Sequence, residues 1–264
     1  MVISPRAVGW VLGQFILALA AMMLIPMAYS IAIGGDDLQA FQWAFSITLA
    51  AGGLMLALCR TRARRELKLR ESILLVAMIW ITICLFGSLP FYFSPCFTSF
   101  TDAMFESVSG FTTTGATVLE HVEVLSHPIQ FWRCFSHWLG GMGIVLLGVA
   151  VLPLLGQGGM HLYRAEFSGA KSQRLSPRVA ETAKALWMVY LALTLFLFLA
   201  LRAAGMNDFE ALCHTFSTLG TGGFSTRTDS IAGFQSPLIE YIIIVFMLLA
   251  GISFIQHFQQ AELG

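Results

Sequence analysis

The sequence predicts an all-α integral membrane protein, and three observations predict it. Of the 264 residues, 57% are hydrophobic and 11% are charged, where soluble domains carry about 25% charged residues. Mean hydropathy is +0.76. The apolar residues gather in six runs, each near the roughly 20 residues that a bilayer core requires of a helix. Formal net charge is zero, so no bulk bias draws the chain toward nucleic acid or acidic partners, and membrane lipid is the expected surrounding.

The first run covers residues 7–28, with Pro26 near its outer end. One basic residue, Arg6, precedes it and no small-residue cleavage signal follows, so it reads as a retained helix. Gly34-Gly35-Asp36-Asp37 turns the chain into a second run, 41–58, which ends at a basic cluster. A third, 72–93, stops at Pro90 and Pro95. The fourth, 131–155, follows Pro128 and ends in Pro153 and Gly156. The fifth, 185–201, leaves a second basic cluster, and the sixth, 238–258, follows Pro237.

Charge sets the orientation. Eleven of the fifteen Lys and Arg residues fall in two places, Arg60, Arg62, Arg64, Arg65, Lys68, Arg70 and Arg164, Lys171, Arg174, Arg178, Lys184. Basic loops stay inside, so both clusters and both termini are expected to be cytoplasmic. Asp36, Asp37, Glu120, Glu123, Asp208 and Asp229 then lie outside, where acids either draw cations toward a pore mouth or are simply tolerated. Cys59, Cys84, Cys96, Cys134 and Cys213 show no metal or disulfide spacing.

About 35 residues separate the third run from the fourth, and a similar length separates the fifth from the sixth. Each gap opens with a short, half-apolar helix, 101–110 and 207–218, too short to cross a bilayer. A re-entrant segment is predicted in each gap. Thr101-Asp102 and Asn207-Asp208 supply N-terminal caps. The pairs Thr114-Gly115 and Thr221-Gly222 follow, and His127-Pro128 and Ser236-Pro237 restart a spanning helix. Residues 72–155 and 185–258 therefore read as two helix–pore-loop–helix repeats. The predicted organisation is a leading two-span segment, 1–71, a first repeat with its cytoplasmic linker, 72–184, and a second repeat, 185–264.

The loops carry the chemistry. Non-helical backbone at membrane depth survives only where protein buries it or it lines a watery cavity. A short helix that points its C-terminal end into the bilayer places roughly half a negative charge there. The carbonyls and threonine hydroxyls beyond that end offer oxygen ligands without fixed charge, which suits a large monovalent cation. Gly115, Gly220 and Gly222 permit backbone angles that other residues resist. Glu106 on the first short helix either tunes the ion sites or bonds nearby backbone amides. Asp102 and Asp208 read as caps, His137 and His214 as hydrogen-bonded helical histidines, and Arg133 and Arg202 as side chains that snorkel to the headgroups. Gly140, Gly141 and Gly143 read as close-packing positions, with a hinge as the alternative. Gly156-Gln157-Gly158-Gly159 follows no strand, so it does not read as a phosphate loop.

One family joins these features. The segment from Phe105 to Ala116 (FESVSGFTTTGA), Trp138-Leu139-Gly140-Gly141-Met142-Gly143, the segment from Pro153 to Glu166 (PLLGQGGMHLYRAE), Gly222-Gly223-Phe224-Ser225-Thr226 and Glu181-Thr182-Ala183-Lys184 resemble the membrane subunit of the Trk-type potassium transporters, in the Trk/Ktr/HKT superfamily. The resemblance covers the chain from the first run to about residue 258. It implies four non-identical helix–pore-loop–helix repeats around one pore, of which two are present here. It implies a potassium-binding filter formed by Thr112, Thr113, Thr114 and Gly115 from the first loop and Leu219, Gly220, Thr221 and Gly222 from the second. Potassium is then the transported ion, with no organic cofactor. The resemblance also implies a cytoplasmic nucleotide-binding regulatory subunit, a homodimer, and the bacterial inner membrane.

Two filter strands do not surround an ion, so a truncated or split product is the expectation, with association of two such halves as the other possibility. A non-conducting scaffold or assembly partner of a full transporter is the alternative. An intramembrane serine protease using Ser107 or Ser109 with a helical histidine is a third reading. Glu106 and Val108 are poor substitutes for the small-residue turn such a serine requires, and no enzyme is expected.

Overall fold

The computed structural model describes residues 5–35, 37–60, 69–151 and 178–251. All regular structure in these residues is helical. They form two compact units, residues 1–136 and 137–264.

The first unit opens with α1 (Pro5–Ile33) and α2 (Leu38–Leu58). Small residues let these two helices approach closely. A Cβ on Gly52 would stand 2.8 Å from the Leu17 side chain, and one on Gly13 would stand 3.0 Å from Leu56. Helix α3 (Leu69–Gly87) packs Leu75 and Ile79 against Val8, Leu12 and Ile16 of α1. It breaks at Ser88 and resumes as α4 (Leu89–Phe93), where Pro90 occupies the first turn, the one place its missing N–H does no harm. Helix α5 (Phe100–Phe111) follows. After a loop and a 3-10 turn, Val122–Val124, α6 (His127–Val151) begins.

The second unit contains α6 from His137 onward, α7 (Arg178–Ala203), α8 (Asp208–Leu219), a 3-10 turn, Ser230–Phe234, and α9 (Pro237–Gly251). Its core is Met142, Tyr190, Leu197, Leu201, Leu219, Ile239 and Ile243.

Among the described residues, four helices are long and apolar enough to cross a membrane: Pro5–Ile33, Leu38–Leu58, Glu71–Phe93 and Ala183–Ala203. The third joins α3 and α4. Six spans are predicted from sequence, and the remaining two differ for identifiable reasons. Helix α6 buries Gln130, Arg133, Ser136 and His137 in its first half, and its side chains are described only as far as residue 143. Helix α9 is apolar but has 15 described residues, and the predicted span continues past Gly251 beyond them. Large apolar side chains point outward on these helices, among them Leu54, Ile81, Phe196, Tyr241 and Leu248. Such a surface is costly in water and neutral in lipid.

Observed helices start earlier than the apolar runs, because polar first turns are helical without being apolar. Arg62, Arg64, Arg65, Lys68, Arg164, Lys171 and Arg174 lie outside the described residues, as do the Pro153-to-Glu166 motif and the Gly156–Gly159 glycines.

Candidate functional site

The two predicted short helices exist, each of 12 residues, and each ends in the same backbone device. After α5, Thr113 N–H donates to Gly110 O at 3.1 Å and Thr114 N–H to Ser109 O at 2.9 Å. After α8, Thr221 N–H donates to Thr218 O at 3.0 Å and Gly222 N–H to Ser217 O at 2.9 Å. This paired pattern closes a helix by turning one residue left-handed. That residue is usually glycine. Here it is Thr113, with φ 54°, and Thr221, with φ 55°. A β-branched residue in this region is an outlier costing about 1–3 kcal/mol, and such strain collects at functional sites. Two positions later, Gly115 (φ 77°) and Gly223 (φ 97°) turn left-handed again, at no steric cost.

The geometry pairs Thr113 with Thr221 and Gly115 with Gly223. The sequence pairing of Thr114-Gly115 with Thr221-Gly222 is therefore one residue out of step. Leu219 is the last residue of α8 and is buried in the apolar core, so the second loop's counterpart of Thr112–Gly115 is Gly220–Gly223. Gly223, and not Gly222, shares the left-handed backbone of Gly115. Its signal was the second glycine of Gly222-Gly223, which only the hydrogen-bond register distinguishes from the first.

Both loops are braced by their own short helix through a hydroxyl. In the first unit, Thr117 Oγ1 donates to the Glu106 carboxylate at 2.9 Å, and Leu119 N–H donates back to Thr117 Oγ1 at 3.2 Å. In the second, Ser225 Oγ lies 3.1 Å from His214 Nε2, and Arg227 N–H donates to Ser225 Oγ at 3.0 Å. Glu106 and His214 are each the seventh residue of their helix. His214 Nδ1 lies 2.8 Å from the Glu210 carbonyl, which only accepts. Nδ1 thus carries the hydrogen, and Nε2 of the neutral ring accepts from Ser225.

Glu106 is fully buried, and Arg133 from α6, also buried, donates to it at 2.5 Å. Val118 N–H donates to the same carboxylate at 3.3 Å. Glu106 thus bonds a backbone amide, one of its two predicted roles, while Arg133 does not snorkel. A buried carboxylate demands a countercharge, and Arg133 supplies it. Ser107 Oγ donates to Cys84 O at 2.7 Å and Trp132 Nε1 to Gly87 O at 3.0 Å, locking α5 and α6 against α3. The Ser107 hydroxyl is thus engaged on a carbonyl, and the buried Ser109 hydroxyl has no hydrogen-bond partner among the described residues.

The second loop is pressed against α6. His137 stacks on Phe224 at 4.1 Å between centroids. Its Nδ1 lies 3.2 Å from Ser217 Oγ, which accepts Gly223 N–H at 3.1 Å. A Cβ on Gly222 would fall 2.1 Å from the His137 ring, and one on Gly220 would fall 2.4 Å from His137 O. Gly141 likewise has no room beside Gly220, so its role is close approach. A cavity of about 380 Å³ adjoins this loop, lined by Thr218, Thr221, Gly222, Gly223, Ile243 and Met247.

The caps are specific. Ser99, rather than Thr101, caps α5 by accepting Asp102 N–H at 3.1 Å, while the Asp102 carboxylate accepts from Ser99 Oγ at 2.8 Å. Asn207 caps α8, accepting Glu210 N–H at 2.8 Å. Asp208 instead pairs with the half-exposed Arg202. Among the described residues no group of three or more His, Cys, Asp or Glu side chains is placed to hold a metal ion. In the turns themselves, 112–115 and 220–223, every residue is threonine or glycine, so the oxygens available there are main-chain and hydroxyl oxygens.

The family described as TrkH, cation transport protein, matches residues 37–261. The Trk system potassium uptake protein TrkH of Halomonas elongata is 46% identical over 257 residues, covering 97% of this chain and 53% of its own length. TrkH of Escherichia coli is 44% identical over 256 residues, covering 96% of this chain and 53% of its own length. A crystal structure of the potassium transporter TrkH from Vibrio parahaemolyticus matches with TM-score 0.85 and 38% identity, over 96% of this chain and 51% of that one. The chain spans about half the length of the curated relatives it matches.

Proposed function

The chain belongs to the TrkH family of cation transport proteins, and from that premise we propose that it provides two helix–pore-loop–helix repeats of a potassium-uptake pathway. The observation that carries this reading is the matched pair of strained turns, Thr113 with Gly115 and Thr221 with Gly223. A turn repeated against steric preference in two different sequences is best accounted for by what its backbone faces.

In this reading each short helix enters the membrane from outside and aims its C-terminal partial charge inward. Oxygens of Thr112, Thr113, Thr114 and Gly115, and of Gly220, Thr221, Gly222 and Gly223, replace water around potassium. Leu219 leaves the proposed set because it closes the helix. Uncharged ligands bind the ion without trapping it. The membrane potential supplies about 2.3 kcal/mol per 100 mV for each charge carried inward. The pathway is completed by further repeats that surround the ion.

The leading segment, residues 1–71, flanks the repeats at 72–184 and 185–264, in a bacterial inner membrane with both termini cytoplasmic. A nucleotide-binding cytoplasmic subunit regulates the assembly, which pairs with a second copy. The relatives named above are transporters, and the chain is proposed to move an ion rather than to transform a substrate.

Deleting the gene and then restoring it at its own locus tests this reading. Restoration is expected to recover potassium uptake, and Gly115→Ser or Gly223→Ser to weaken selection of potassium over sodium. Uptake indifferent to deletion would refute the reading.

A further inference from the structure

Both loops leave their strained turns through a hydroxyl that is held at two points. Thr117 donates to Glu106 and accepts Leu119 N–H; Ser225 bonds His214 and accepts Arg227 N–H. The positions correspond residue for residue, yet the groups differ: a buried carboxylate in one repeat and a neutral imidazole in the other. Chemistry that changes while geometry is kept points to geometry as the selected property.

We infer that Thr117 and Ser225 are positioning residues that set ion selection by fixing where each loop's outgoing strand leaves Gly115 and Gly223. This inference rests on the potassium reading above. Potassium and sodium differ in size but not in charge, so a set of uncharged oxygens distinguishes them only while its spacing or field is maintained. A hydroxyl two residues beyond the left-handed glycine, tied to a buried residue of a capped helix, resists the strand's collapse toward a smaller ion.

The second brace is extended outward. Arg227 Nε donates to Glu210 at 2.9 Å, its Nη1 donates to Gly233 O at 2.6 Å, and its guanidinium lies over Phe234, 4.0 Å from the ring centroid. Phe234 in turn meets the His214 ring edge-on at 5.1 Å. His214 is thereby held between Glu210, Phe234 and Ser225 with its acceptor nitrogen aimed at the hydroxyl. In the first repeat Arg133 does the corresponding work on Glu106 from α6.

The test uses variants introduced at the gene's own locus, with rubidium uptake measured against sodium and potassium competition and membrane abundance measured by immunoblot. Ser225→Ala and Thr117→Val are expected to lower potassium preference over sodium about fivefold, the worth of one hydrogen bond, in chains that reach the membrane. Ser225→Thr is expected to restore it. His214→Gln, which keeps an acceptor, is expected to retain more selectivity than His214→Leu, which keeps only the bulk. Should one hydroxyl variant fail to accumulate, the other repeat's variant decides. Selectivity unchanged in both hydroxyl variants, with uptake intact, overturns this inference and leaves the potassium reading standing. Wild-type protein that supports no uptake overturns the reading itself.

Discussion

Thr113 and Thr221 hold the same left-handed backbone conformation, each two residues past the end of a 12-residue helix. Neither residue favours it, since a branched Cβ crowds the neighbouring carbonyl oxygen. The strain is maintained from both sides, by the helix-closing hydrogen bonds before it and by the braced strand after it.

Glycine at either position removes the clash. Thr221→Gly is expected to raise stability by up to about 1 kcal/mol, the left-handed penalty less glycine's entropy cost. It is also expected to lower selectivity, because the turn can then swing. Thermal unfolding of the purified protein and competitive rubidium uptake check the two halves. A variant that is neither more stable nor less selective would contradict the strain account.

Gly222 is fixed by its neighbour rather than by its torsion. A Cβ there would overlap the His137 ring, which is stacked on Phe224 and bonded to Ser217. Gly222→Ala is expected to cost about 1–3 kcal/mol through overpacking. His137→Ala opens the space, so the double variant is expected to lose less than the sum of the two singles, with a coupling near 1 kcal/mol. Additive losses in a double-mutant cycle would show that the ring and the glycine do not compete.

Glu106 and Arg133 form a buried pair, so each is costly without the other. Arg133→Met alone is expected to destabilise the protein by about 3–5 kcal/mol by stranding a carboxylate. Glu106→Gln combined with Arg133→Met is expected to recover most of that loss, since the amide still accepts from Thr117. Membrane abundance and melting temperature report both. A double variant no better than the Arg133 single would argue against the pairing.

The parts of this structure that were legible from sequence are those set by local physics. Apolar runs mark the spanning candidates because burial and lipid both reward them, and Asn207 marks a helix start because its side chain caps the next turn. What was not legible depends on partners distant in the chain. Arg133 sits near a predicted span end, where a headgroup is the local answer, but its carboxylate partner lies 27 residues back. The one-residue register of the second loop depends on hydrogen bonds from Thr221 and Gly222 back to α8, and Thr-Gly looks alike in either register. The His214–Ser225 brace was hidden because an isolated helical histidine carries no sign of which nitrogen it offers, or to what.

The central claim is that these two turns present main-chain oxygens to a dehydrated monovalent cation. Anomalous diffraction from crystals of the complete gene product grown in rubidium tests it most directly. The account predicts rubidium peaks beside the backbone oxygens of Thr113–Gly115 and of Thr221–Gly223, weakened when Gly115→Ser is introduced. Rubidium bound elsewhere in the protein, with neither turn contributing an oxygen ligand, would contradict it.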